Sequence, residues 1–418
     1  MGKLTRILTG LGMAASLCLA PAMAQGGLKE FKLAIQSPYS GPAAQTGNEV
    51  KNGVTWAFDE VNWTVGKYKI VPVWVDCQSD PAKATNAYEQ AIVQEHVQAG
   101  LMNWHSSVAV ALMEITAKYK IPHMLGTGST ELINEKFHSN VDKYGYWMLK
   151  SWPIPYKLSG AYVDALEAAI KAGTYKPKNG KTVVLYAEDT DFGRSFSNGS
   201  ATEFRKAGWK VLDQEYFPMG QTEFYPLLNK IKGMHADVVC GSGTAEPAVT
   251  AFVKQADEVG LEGILIADAL GYFGDWYKLC GQASDFVLDE IPSWGSAKGK
   301  AFATAYKAKY GIPPSPATTG IGYDSAKFFI KLCKDIQAKG QPLTSETIYK
   351  FVKDNVWTGK WQFKEGIVMK NYHYTPETIP DPVMGPNDYI FPVIQYHGGV
   401  GKILFPTEWA EGKLELKP

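Results

Sequence analysis

From residue 31 onward, short apolar runs alternate with longer stretches in which apolar residues recur every three or four positions. Residues 31–36 form a compact apolar run that reads as a buried strand and ends in the loop Ser-Pro-Tyr-Ser-Gly-Pro. Val50, Val54, Ala57 and Val61 then fall at i, i+4, i+7 and i+11, one face of a helix. Residues 68–75 are β-rich. Asp80-Pro81 opens a helix reaching about residue 96, with Asp80 as N-cap and Pro81 in the first turn. A strand near Leu101, a helix from Ser106-Ser107 and a strand over 122–125 follow. This order predicts a parallel sheet with helices on both faces.

The rhythm restarts after Trp152-Pro153. Helices are expected over 156–172, 194–207, 222–232 and 247–259, and strands over 182–186, 210–216, 237–240 and 263–267. The two halves share a pattern without a sequence repeat. Two further helices, 297–310 and 323–336, precede a Pro-rich loop over 376–386. The last element reads as a hairpin, 389–396 and 400–404, around His397-Gly398-Gly399. A hairpin arriving after helices implies that the chain crosses between lobes more than once. The chain has 418 residues, too many for one ordinary core, so the fold class expected is α/β with two doubly wound lobes.

The first 24 residues read as a cleaved secretion leader. Lys3 and Arg6 precede an apolar run over 7–20, and Ala22-Met23-Ala24 is a cleavage site that leaves Gln25 first. Leu17 before Cys18 argues against a lipoprotein signal, so a periplasmic chain is expected. Loss of Lys3 and Arg6 leaves 40 basic against 42 acidic residues, a formal charge of −2, and gives no footprint for nucleic acid. Cys77, Cys240, Cys280 and Cys333 lack metal-ligand spacing. An oxidising compartment would permit disulfides among them, in any of three pairings. Cys240 and Cys333 sit in apolar patterns that favour buried free thiols.

No G-x-S-x-G elbow, H-E-x-x-H or Walker loop occurs, and the seven histidines lack ligand spacing. A catalytic site, a metal and a cofactor are therefore not expected. The polar, small-residue loops after strands are the informative feature, because ligands of doubly wound sheets bind there. Trp104-His105-Ser106-Ser107 opens a helix whose positive N-terminal end suits an anion. Gly126-Thr127-Gly128-Ser129-Thr130 offers further donors beside it.

The assembled order resembles the type I periplasmic binding proteins, in the leucine/isoleucine/valine-binding branch of ABC-importer receptors. The residues that carry the resemblance are Ser40-Gly41-Pro42 with Gly47 and Gly53, Asp59-Glu60-Val61-Asn62, Asp76 with Asp80-Pro81, and Ser106-Ser107. They continue with Ile121-Pro122, Gly128 and Thr130, Asp189-Thr190-Asp191-Phe192-Gly193, Ala236-Asp237-Val238-Val239 and Gly322-Tyr323-Asp324-Ser325-Ala326. The resemblance implies two Rossmann-like lobes joined by three crossover segments, with 28–150 plus 291–371 in the first and 151–290 plus 388–418 in the second. It implies a ligand in the cleft between them, held by hinge closure, and delivery to an ABC permease and ATPase by a monomeric, non-catalytic receptor.

By position, Ser107, Gly128 and Thr130 resemble the family's carboxylate-binding set, with Ser106 beside them. Phe192 takes the place of a cleft-wall Tyr. Thr244 and Asp268 fall on loops that face the ligand's amino group in the family. Thr46 stands where several amino-acid binders carry an aromatic residue. Trp104 and His105 add bulk, and Tyr272, Phe273 and Trp276 make the loop after Asp268 aromatic. An amino acid or related small carboxylate is the expected ligand. Alternatives are an aromatic acid without an amino group, or a sensory module on the same fold. Asp268 is read either as an ammonium partner or as the cap of its own turn.

Overall fold

The computed structural model describes Gly2 and residues 27–418. Apart from Gly2, the leader and Cys18 lie outside the described residues. Six strands form the first sheet: β1 (Lys29–Ser37), β2 (Thr64–Val65), β3 (Tyr68–Asp76), β4 (Ala99–Leu101), β5 (His123–Gly126) and β6 (Trp147–Lys150). Their spatial order is β2-β3-β1-β4-β5-β6, parallel except for β2 against β3. Seven strands form the second: β7 (Thr182–Glu188), β8 (Lys210–Phe217), β9 (Val238–Ser242), β10 (Ile264–Asp268), β11 (Leu288–Glu290), β12 (Val393–His397) and β13 (Val400–Phe405). Here the order is β13-β12-β11-β10-β9-β7-β8, and the terminal hairpin pairs antiparallel with β11. The architecture is the two-lobed α/β one expected.

The apolar runs explain the central strands. Phe31, Leu33, Ala34 and Ile35 of β1 are sealed, because β1 pairs with β3 and β4 and carries helices on both faces. Asp80 caps the helix Pro81–Val93 by accepting from the Lys83 N–H at 2.9 Å. The helices Ala44–Asp59 and Ile321–Ala338 pack together although they are far apart in sequence. Glycine permits that approach: a Cβ on Gly53 would lie 2.1 Å from the Thr319 carbonyl oxygen, and one on Gly322 2.8 Å from that of Val50. Gly398 and Gly399 supply the two positive φ angles, 55° and 81°, of the hairpin turn.

The four described cysteines are buried free thiols, so Cys77 and Cys280 join Cys240 and Cys333 in that state. One buried ion pair ties the crossovers. Lys150, at the end of β6, meets Asp381 at 2.8 Å with both side chains sealed. Tyr374 and Tyr389 donate to the carbonyls of Lys150 and Ser151 at 2.7 and 2.8 Å, so the Pro-rich segment braces the first crossover.

Candidate functional site

The carboxyl ends of the parallel strands in the two sheets face each other across a cleft. Non-glycine residues in the left-handed region mark these ends: Met102 after β4, Leu125 within β5 and Ala269 after β10, at φ 64°, 59° and 80°. Such conformations cost about 1–3 kcal/mol each and persist where packing over-determines them. Asn103 knits the first-lobe loops. Its Nδ2 donates to Gln36 Oε1 at 3.0 Å and to the His105 carbonyl at 3.1 Å, and its Oδ1 accepts from the Gly128 N–H at 3.1 Å.

Trp104, Trp152, Phe192 and Tyr272 wall the cleft. Trp104 and Trp152 both meet Tyr272 edge to face, with ring centroids 5.9 and 5.3 Å apart. The indole N–H of Trp104 donates across the lobes to the Thr244 carbonyl at 3.3 Å. His105, Ser106, Ser107, Thr127, Thr190 and Thr244 complete the lining, and the space, open solvent at its mouth included, is about 410 Å³.

The charge balance of this lining is one-sided. It holds no Asp, Glu, Lys or Arg. Burial pushes His105 down to about 4, so its ring is neutral at pH 7, and Nε2 is engaged with Ser79 Oγ at 3.0 Å. Three helices start at the cleft: Ser106–Tyr119, Asp191–Lys206 and Glu246–Glu258. Asp191 and Glu246 stand in the first turns of the last two. The N-terminus at Glu246 also meets Glu188, which accepts from the Ala245 N–H at 3.0 Å and from Thr244 Oγ1 at 2.5 Å. The helix Ser106–Tyr119 has no acidic residue in its first turn and no side-chain cap from His105. Its positive end, worth roughly half a charge, is the one left for an anion.

Trp104, Ser106, Ser107, Phe192, Thr244 and Tyr272 are thus brought together on the cleft. The Ser106 oxygen accepts from the Ser129 and Thr130 N–H groups at 2.9 and 3.2 Å, and so braces the neighbouring loop. Six of the residues singled out in the sequence stand outside this lining. Gly128 does not line the cleft, because its N–H is turned into Asn103 and a Cβ there would meet Asn103 Oδ1 at 2.8 Å. Thr130 precedes the helix Glu131–Ser139, buried behind the lining. Thr46 is sealed in the first turn of the helix Ala44–Asp59. Asp268 does not face the cleft mouth. It is 1% exposed, Tyr162 and Ser242 donate to its two oxygens at 2.9 and 2.8 Å, and burial with neighbouring Asp289 pushes its carboxyl up to about 7. Phe273 and Trp276 also leave the lining; Trp276 packs on Tyr396 of the hairpin, with centroids 4.1 Å apart. Trp152 and Thr190 are members the sequence reading did not assign to the site, and Thr127 entered it only as part of the donor loop 126–130.

The family model for periplasmic binding proteins matches residues 30–363. The Leu/Ile/Val-binding protein homolog 8 of Brucella abortus (strain 2308) is 25% identical over 340 residues, which span 78% of this chain and 81% of that protein. The branched-chain amino acid transporter substrate binding protein LivJ of Streptococcus pneumoniae, solved with isoleucine, superposes with a TM-score of 0.70 at 20% identity, covering 89% of this chain and 98% of that one. A solute binding protein of an R. palustris ABC transporter, solved with benzoate, gives 0.72 at 19% identity, covering 90% and 95%. With the family model spanning most of its length, the chain belongs to the periplasmic binding proteins, which are substrate-binding proteins of transporters and not enzymes.

Proposed function

We propose that this chain is the periplasmic capture subunit of an ABC importer and that it closes its lobes on a small carboxylate with a planar or apolar body. One observation carries the reading: the lining combines four aromatic walls with no acidic side chain, and of the three helix N-termini at the cleft only that of Ser106–Tyr119 has no acid in its first turn. The carboxylate would sit against Ser107 and the first-turn N–H groups of that helix, and the body between Trp104, Trp152, Phe192 and Tyr272. An ammonium group buried in this lining would lack a carboxylate partner, at a cost of several kcal/mol. The solved relatives hold isoleucine in one case and benzoate in another, and the lining favours the benzoate type. Sheet membership supports 28–150 in one lobe and 151–290 plus 388–418 in the other, and the packing of Ile321–Ala338 on Ala44–Asp59 supports 291–371 in the first, with hinge motion at the crossovers.

A thermal-shift panel of matched pairs tests this. Phenylalanine is set against 3-phenylpropanoate and isoleucine against 3-methylpentanoate, beside benzoate. A ligand at 100 times its dissociation constant stabilises by about 2.7 kcal/mol, an easily read shift. The acids without an ammonium group should raise the melting temperature more than their amino partners. Larger shifts with the amino acids would make this an amino-acid receptor instead.

A further inference from the structure

Glu49, on the helix Ala44–Asp59 of the first lobe, is 1% exposed. Its Oε1 accepts from the backbone N–H of Gly274 at 2.9 Å and from Gln45 Nε2 at 3.2 Å. Gly274 lies on the loop that leaves β10 and carries the cleft wall Tyr272. That loop is tightly seated: a Cβ on Gly274 would lie 1.9 Å from the Pro313 carbonyl oxygen, and Ser315 Oγ donates to the Gly271 carbonyl at 2.7 Å. One carboxyl therefore joins a first-lobe helix to a second-lobe wall.

Thr318 gives the contact its chemistry. Its Oγ1 lies 2.6 Å from Glu49 Oε2 and 3.1 Å from the Tyr272 carbonyl oxygen. A hydroxyl has one proton to donate. With Glu49 ionised, Thr318 serves one of these acceptors and leaves the other. With Glu49 protonated, the carboxyl donates to Thr318 and Thr318 donates to Tyr272, so both bonds form. The charged surroundings favour the proton. Asp275 follows Gly274 in the loop, Glu246 stands in the first turn of Glu246–Glu258, and the Tyr306 phenol faces Glu49 from the helix Ala297–Tyr310. None of these is basic. Burial, opposed by the bonds from Thr318, Gly274 and Gln45 and aided by Asp275, pushes the Glu49 carboxyl up to about 7. Burial and Asp275 push Glu246 up to about 8.

We propose that Glu49 is a positioning residue for ligand capture, taking up a proton as the lobes close and setting Tyr272 against the cleft through Thr318 and Gly274. The inference rests on the reading that the lobes open and close. In the open conformer the carboxyl is solvated, with an ordinary value of about 4.3. The closed conformer then binds more protons than the open one. Its added stability is complete below the ordinary carboxylate value and is lost as pH rises from there through about 7. The closing equilibrium should fall over that window by on the order of a hundredfold.

The test needs no ligand. The radius of gyration from small-angle scattering and the tryptophan fluorescence, to which Trp104 and Trp152 contribute among twelve tryptophans, are followed on the free chain from about pH 5 to about pH 8. Far-UV circular dichroism checks that the fold stays intact. The wild type should expand as pH rises. Glu49→Gln, whose amide mimics the protonated carboxyl, should stay compact with a flat profile, and Asp275→Asn should move the midpoint to lower pH. A wild-type profile without a transition, or a transition unchanged in Glu49→Gln, would overturn the proposal. If Glu49→Gln does not fold, an unmoved midpoint in Asp275→Asn does the same. A pH transition in a chain that ignores every acid of the panel would leave this inference standing and remove only the ligand class.

Discussion

Lys150→Met should destabilise the fold by about 3–5 kcal/mol, the cost of leaving one charge of a buried pair unpaired. Lys150 Nζ meets Asp381 Oδ1 at 2.8 Å, and neither side chain reaches solvent. Asn134 accepts from Lys150 Nζ at 2.8 Å and donates to Asp381 at 3.0 Å, and the Ile154 N–H donates to Asp381 at 3.2 Å. Only the half-buried Lys157, 3.4 Å from Asp381, would remain as a cation. The double variant Lys150→Met/Asp381→Leu should recover part of the loss, because no unpaired carboxylate remains, although the Ile154 N–H and the Asn134 amide lose their acceptor. Burial pushes the Asp381 carboxyl up, but the Lys150 ammonium and its hydrogen bond hold it below its ordinary value. Its contribution is therefore present above the unfolded carboxylate value, about 3.9, and is lost as pH falls through the lower folded one. Guanidinium midpoints of the two variants measure this, and a single-variant cost under about 1 kcal/mol would show that the crossovers are not held by this pair.

Trp104→Ala should weaken the best acid of the panel by about 30- to 1,000-fold, or about 2–4 kcal/mol. The indole stands at the meeting point of both lobes: it packs edge to face on Tyr272 and donates to the Thr244 carbonyl. Its loss removes one wall of the ligand site and one polar tie between the lobes. Trp104→Phe should recover part of the affinity, since a ring remains and the N–H does not. Equilibrium dissociation constants for the three proteins check this. An effect below twofold in Trp104→Ala would place the ligand elsewhere.

The alternation of strand and helix was legible because parallel strands covered on both faces read as unbroken apolar runs. β7, with all seven residues buried, is the plainest case. β6 and β11 were not read, for the converse reason. β6 ends in Lys150, which is buried only because Asp381 arrives from far along the chain. β11 is Leu288-Asp289-Glu290, two acids in three residues, and reads as loop. Asp289 is nevertheless sealed, with the Ala269, Gly271 and Glu290 N–H groups and the Tyr396 hydroxyl donating to it. No local pattern announces such partners.

The site divides along the same line. Trp104, Ser107, Thr244 and Tyr272 were legible because they follow strands, where doubly wound sheets bind ligands. Trp152 lies on a crossover, and in sequence it marks only a boundary. Asp268 stayed open between two readings because a carboxylate at a strand end looks exposed in sequence. In the fold, Ala269 turns left-handed at φ 80°, and the side chain before it stays inside with Tyr162 and Ser242.

Titration calorimetry of the best acid against the wild type and Ser107→Ala tests the central claim most directly. Of the three helix N-termini at the cleft, Ser107 stands at the one without an acid in its first turn. A hydrogen bond to a charged group is worth about 1.5–3 kcal/mol, so the substitution should weaken a one-to-one complex by roughly 10- to 150-fold. An affinity unchanged within about twofold would put the carboxylate outside this seat and contradict the account.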